Sequence, residues 1–68
     1  MARQIVSYLK DRNERKYKIE EQSINDFFST NYLYHVLYDD GTLKYKNFKS
    51  KNEAIRYLEE QVGHCSQY

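Results

Sequence analysis

A single cysteine, Cys65, stands in this chain, so no internal disulfide can form and a reducing compartment is the expected home. Two glycines in all leave no room for a glycine-rich loop that cradles phosphate. Soft metal ligands are just as scarce. His64-Cys65 is the one adjacent pair and His35 is the other histidine, whereas zinc asks for about four ligands at local spacings such as Cys-x2-Cys. Cys65 as a nucleophile would need a base oriented by a third group, and a frayed tail over residues 64–68 is a poor place to hold one. Asp39-Asp40 is explained by turn formation without any general acid–base role. No catalytic residue, metal site or cofactor is therefore expected, and the chain reads as a non-enzyme. Long apolar runs are missing too. Tyr32–Tyr38, the longest nearly apolar stretch, falls far short of the ~20 residues that span a bilayer. Met1-Ala2-Arg3-Gln4 shows no signal-peptide apolar region and no glycine at position 2. The expectation is a cytoplasmic protein with no membrane partner.

What is present is aromatic and charged. Eight tyrosines and three phenylalanines among 68 residues supply large buried areas to a single domain, 1–68, whose core is necessarily small. Net charge is +1, but it is unevenly spread. Residues 1–18 sum to +4, residues 19–43 hold five acids and no base, and residues 44–56 return to +4. Two basic blocks meeting in space would form an anion-binding face. Solubility alone accounts for the same charges.

The stretch Leu33–Val62 organises the chain. Apolar-patterned runs Leu33–Tyr38 and Leu43–Phe48 flank Asp39-Asp40-Gly41-Thr42, a strong hairpin signal because Gly41 takes a positive φ without strain. Ser50-Lys51-Asn52-Glu53 has the form of a capping box, with the Ser50 hydroxyl on the Glu53 N–H and the Glu53 carboxylate on the Ser50 N–H. Ala54, Ile55, Leu58 and Val62 follow at helical spacing, and Gly63 sits where a helix C′ residue belongs.

Earlier in the chain, Ile5, Val6, Tyr8 and Leu9 make one helical face, and Arg12, Arg15 and Lys16 suit the negative end of a helix over residues 3–12. Read instead as a strand turning at Arg12-Asn13, the same residues place Tyr8 opposite Tyr17 and Val6 opposite Ile19. Residues 16–22 alternate as a strand. Ser23–Asn31 is a polar connection in which Ile24, Phe27 and Phe28 form a helical turn or anchor a loop on the core. The expected fold is α+β, a three-stranded antiparallel sheet flanked by two helices in the order α-β-β-β-α, with β-β-α-β-β-α as the alternative.

Register sets the faces. A two-residue Asp40-Gly41 loop pairs Tyr38 with Leu43 and Val36 with Tyr45, which puts Tyr34, Val36, Tyr38, Leu43 and Tyr45 inward. Leu33, His35, Leu37, Lys44, Lys46 and Phe48 then share the outer face. A three-residue loop with a glycine bulge reverses the faces of the second strand.

Several short motifs resemble the double-stranded-RNA-binding domain. Ser50-Lys51-Asn52-Glu53-Ala54 is similar to the family's Ser-Lys-Lys-x-Ala helix start. Tyr17-Lys18-Ile19-Glu20-Glu21-Gln22-Ser23 is similar to its first strand, and Tyr34-His35-Val36 through Asp40-Gly41 to its second. The resemblance implies the same α-β-β-β-α order and an RNA partner. The residues departing from the pattern are those that would touch RNA. Ile24–Asn31 has no Gly-Pro-x-His motif, Asn52 and Ile55 stand where phosphate-gripping lysines belong, and Phe48 replaces a glycine. Lys46–Ala54 also resembles the DNA-binding arm domains of phage-type integrases, in which Lys44 and Lys46 would face DNA.

Two functional expectations follow. The first is a regulator or inhibitor of phage or mobile-element type, since richness in Lys, Asn, Tyr and Ile points to an AT-rich genome. It would bind a host or cognate protein through Leu33, His35, Leu37, Lys44, Lys46 and Phe48, with a homodimer as a further option. The alternative is a nucleic-acid-binding domain using Arg12, Arg15, Lys16, Lys44, Lys46, Lys49 and Lys51.

Overall fold

In the computed structural model, which describes residues 2–68, the chain runs through four strands, a helix and a short fifth strand. These are β1 (Ala2–Lys10), β2 (Lys16–Asn25), β3 (Thr30–Tyr38), β4 (Leu43–Phe48), α1 (Lys51–Val62) and β5 (Ser66–Gln67). One five-stranded antiparallel sheet has the order β4-β3-β2-β1-β5. Both expected orders, α-β-β-β-α and β-β-α-β-β-α, are thereby corrected to β-β-β-β-α-β. Residues 3–12 hold the strand β1 in place of a helix, and Ser23–Asn31 holds strand and turn with no helical residue.

The misread N-terminal segment has a physical cause. β1 and β2 pair Ile5 with Glu20 but Ser7 with Ile19, so Val6 is the extra residue of a bulge. The bulge breaks the period-two alternation and leaves a spacing that imitates a helical face. Past it, Leu9 opposes Tyr17 and Tyr8 opposes Lys18.

The turn after β1 is the same device as the Asp-Gly turn after β3. Asp11 N–H donates to the Arg15 carbonyl and Glu14 N–H to the Asp11 carbonyl; Tyr38, Gly41 and Thr42 repeat both bonds. Each loop is thus three residues long with a left-handed third residue, which is Gly41 at φ 91° in one and Glu14 at φ 62° in the other. The Asp11 carboxylate makes the glutamate tolerable. Its Oδ1 accepts from the backbone N–H of Asn13 at 2.8 Å and of Arg15 at 2.9 Å.

The helix lies on one face of the sheet, against β2, β3 and β4. Ala54 and Leu58 are fully buried there against Leu9, Tyr17, Ile19 and Val36, with Tyr34, Tyr45 and Phe48 around them. The expected cap is present. Ser50 Oγ accepts from Glu53 N–H at 3.1 Å, while the Glu53 carboxylate reaches back to Lys49 N–H, one residue earlier than expected. Gly63 ends the helix at φ 90°, its N–H donating to the Glu59 carbonyl.

The last residues are tied down, where a frayed tail over 64–68 was expected. Cys65 is in the core, Ser66 and Gln67 pair with Lys10 and Leu9, and the Tyr68 ring lies 6.0 Å from that of Tyr8. Twelve helical residues reach only about 18 Å, against roughly 33 Å for the ten residues of β2. The far ends of β1, β2 and β3 therefore extend beyond the helix as an arm, and the molecule measures 44 by 21 by 18 Å. Among the described residues no helix is long and apolar enough to cross a membrane.

Candidate partner-binding surface

The sheet face opposite α1 has no second layer among the described residues. Alternation along β2 and β3 brings three cross-strand pairs to it: Lys18 with Leu37, Glu20 with His35, and Gln22 with Leu33. Ile5 joins them beside Glu20. Leu43, directly opposite Leu37 on β4, completes an apolar stripe and is 50% exposed.

At its centre the face dips into a depression of about 270 Å³. His35 and Leu37 form its floor, 6% and 7% exposed, and Arg3, Glu20, Leu43 and Lys46 stand at its rim. Two cations and one carboxylate around apolar groups give this surface a modest positive bias.

His35 holds the floor rigid. Asn47 N–H donates to its Nδ1 at 3.1 Å, so the ring proton is on Nε2, which donates to Gln22 Oε1 at 2.8 Å. Both ring nitrogens are used, and acceptance at Nδ1 requires the neutral imidazole. Burial pushes the imidazole below its ordinary range; the Glu20 carboxylate opposes that shift, and Arg3 and Lys46 reinforce it. The bond to Asn47 also secures a backbone turned to φ 69°, at the place where β4 carries one extra residue between the Tyr34–Phe48 and Val36–Tyr45 pairs.

Those irregularities divide the expected partner-binding set. Leu33, His35, Leu37 and Lys46 share the open face, but Lys44 and Phe48 belong to the helix side. Lys44 is the extra residue between the Val36–Tyr45 and Leu37–Leu43 pairs. It turns its ammonium to the Tyr38 hydroxyl at 3.2 Å and over the rings of Tyr38 and Tyr45, 4.8 and 4.9 Å from their centroids. Its pKa is raised, first by the Tyr38 hydroxyl. Phe48 packs on Tyr57, centroids 5.5 Å apart. Leu43, expected inward, goes the other way. The turn has three residues instead of two, which changes the face of Leu43, and the bulge at Lys44 restores Tyr45 to the core side.

The basic residues do not form one surface. Arg15, Lys16 and Lys44 line a cleft of about 540 Å³ beside Tyr17, Tyr38 and the helix C-terminus at Val62. Lys49 and Lys51 lie at the opposite end of the helix, about 18 Å away by its rise per residue. Lys46 is on the far face of the sheet, and Arg12 is exposed in the first turn. The two basic blocks meet at two separate places, Lys44 with Arg15 and Lys16 in this cleft and Lys46 with Arg3 on the open face.

His64 and Cys65 separate despite adjacency. His64 Nδ1 lies 3.3 Å from the Glu59 carboxylate, while burial raises the pKa of the Cys65 thiol, with Glu59 and Asp11 adding to the effect. A thiol so placed behaves as a small apolar core group.

The strongest exposed apolar feature escaped sequence reasoning. Phe27 and Phe28, expected on the core or in a helical turn, form the two-residue loop between β2 and β3 and are 94% and 93% exposed. A signal was available in Asp26 and Ser29, a polar bracket that fits a turn better than a helix. No protein-family model matches this chain, and neither a curated protein nor a solved structure is detectably similar to it.

Proposed function

We propose that this chain is a non-enzymatic protein-binding module whose contact surface is the open sheet face around Leu33, Leu37, Leu43 and Lys46. The observation that carries the proposal is the uncovered face itself, which keeps Leu43 exposed and Leu33 half-buried around the Leu37 floor although the same sheet buries its other face under α1. Contiguous apolar surface rimmed by polar groups is what protein partners cover. Arg3 and Lys46 at the rim favour a partner whose apolar group is flanked by carboxylates. His35, fixed by two hydrogen bonds, keeps the floor preorganised and so lowers the ordering cost of binding.

A small regulator or inhibitor of phage or mobile-element type, acting on a host or cognate protein in the cytoplasm, fits this reading. The lone, buried Cys65 suits a reducing compartment. A nucleic-acid-binding role is disfavoured by the dispersal of the cations, since a duplex backbone needs several phosphates neutralised along one track.

The test is a double substitution, Leu33→Asp with Leu43→Asp, in a tagged chain used for affinity capture from its native host with and without nuclease. Neither residue is in the core, so the circular dichroism spectrum should be unchanged. The expected outcome is a nuclease-insensitive protein partner recovered by the parent chain and lost by the variant. Equal recovery by both would reject this surface, and recovery that nuclease abolishes would reject the protein partner.

A further inference from the structure

The arm carries an edge that nothing in the fold protects. β4 covers the outer side of β3 only from Tyr34 to Leu37, so among the described residues the outer edge of Thr30–Leu33 has no strand beside it. The other outer edges are guarded. β4 is broken by two bulges and carries Lys44 and Lys46, and β1 has a bulge at Val6, an arginine at position 3 and β5 over Leu9 and Lys10. Thr30-Asn31-Tyr32-Leu33 has no charge, proline, glycine or bulge, which are the usual devices against edge pairing.

Two further features lie next to this edge. At one end is the Phe27–Phe28 tip, its rings 5.4 Å apart. The turn is held rigid by Asp26, whose Oδ1 accepts from the N–H groups of Phe28 and Ser29 at 2.9 and 2.7 Å. The bonds from these two N–H groups lower the Asp26 pKa, so the tip keeps its negative charge. At the other end a groove of about 490 Å³ runs along Thr30–Tyr34 to Lys49.

We propose that a second copy of this chain occupies the edge. Antiparallel pairing of Thr30–Leu33 with itself about a two-fold axis near Asn31–Tyr32 joins two five-stranded sheets into one. The same rotation carries the phenylalanine tip and Asp26 of each copy toward the groove and Lys49 of the other. The pairing is isologous and closes at two copies, so it consumes the edge without opening a fibre. Charge disfavours a nucleic acid or an anionic bilayer at this edge, because residues 19–43 contain five acids and no base, whereas a second copy brings Lys49 to Asp26. The dimer leaves the open sheet face free and does not depend on the function proposed for it.

Sedimentation equilibrium over a wide concentration range tests the proposal, with Tyr32→Lys and the pair Phe27→Ser/Phe28→Ser as variants. All three positions are exposed, and circular dichroism checks that the variants fold. The parent chain should reach twice its 8.3 kDa mass, with slowed amide exchange at residues 30–33 in the dimer. Tyr32→Lys, which brings like charges together across the axis, should remain at 8.3 kDa. Loss of both phenylalanines should weaken the dimer at least about tenfold, as expected for removing a desolvated aromatic anchor. A parent chain that stays monomeric throughout would overturn the proposal. So would a dimer indifferent to the variants, or a mass that keeps growing with concentration.

Discussion

Individual residues in this fold do work that their neighbours in sequence do not reveal, and His35 is the clearest case. Its imidazole is neutral in the native state because protonation of Nδ1 would expel the Asn47 N–H and charge a buried ring. The unfolded chain takes up that proton near the ordinary value of about 6.5, whereas the folded chain does so only at lower pH. Stability is therefore whole above about pH 6.5 and falls as pH drops through the lower, folded value. Denaturant titrations across this range should show the decline, and His35→Gln should flatten it; an unchanged slope would mean that other groups control it. Asp11 is a second case. Removing its carboxylate by Asp11→Ala leaves the N–H donors of Asn13 and Arg15 without their acceptor and should cost about 1–3 kcal/mol, read from the same titrations. Glu14→Gly should gain stability of about 1 kcal/mol by relieving a left-handed glutamate. None of this was legible from the sequence, because Asn13-Glu14 looks like a poor turn until the Asp11 side chain is seen bridging it.

Elements were legible where local chemistry alone defines them. Ser50 and Glu53 cap the helix, Ala54 and Leu58 bury its face, and Gly63 stops it, all within one contiguous stretch. Ser50→Ala should cost about 1 kcal/mol and Leu58→Ala about 2–5 kcal/mol, because the first removes a cap and the second opens a cavity in the core. The strand pairings after β1 and around β4 were not legible, for one shared reason. A bulge adds one residue to one strand, and a single residue reverses which side chains face the core. Val6 made a strand look helical, and Lys44 moved an expected surface lysine onto three tyrosine rings while turning Leu43 outward. Of the expected surface, Leu33, His35 and Leu37 remained together because β3 keeps its alternation through them, and Lys46 stayed beside them as the β4 residue next to the core-facing Tyr45. Phe48 did not, because it lies beyond both irregularities of β4.

At the scale of the whole molecule, α1 covers one face of the sheet and β4 stops short along β3, and the two functional proposals follow from those two gaps. The helix buries one face near β4 and the turn regions, which leaves the opposite face open and the arm protruding. The open face offers a preorganised apolar depression with a positive rim; the arm offers an edge and an aromatic tip. Salt should affect partner binding only moderately, since two rim cations, Arg3 and Lys46, face the partner beside one carboxylate, Glu20. The most direct test of the central claim is site-specific photo-crosslinking in the native host, with a benzophenone side chain at Leu43 on the open face or at Tyr57, a partly exposed helix residue on the other face. The account predicts a discrete protein adduct from position 43, insensitive to nuclease and absent from position 57. An adduct from position 57 alone, or one from position 43 that nuclease removes, would contradict it.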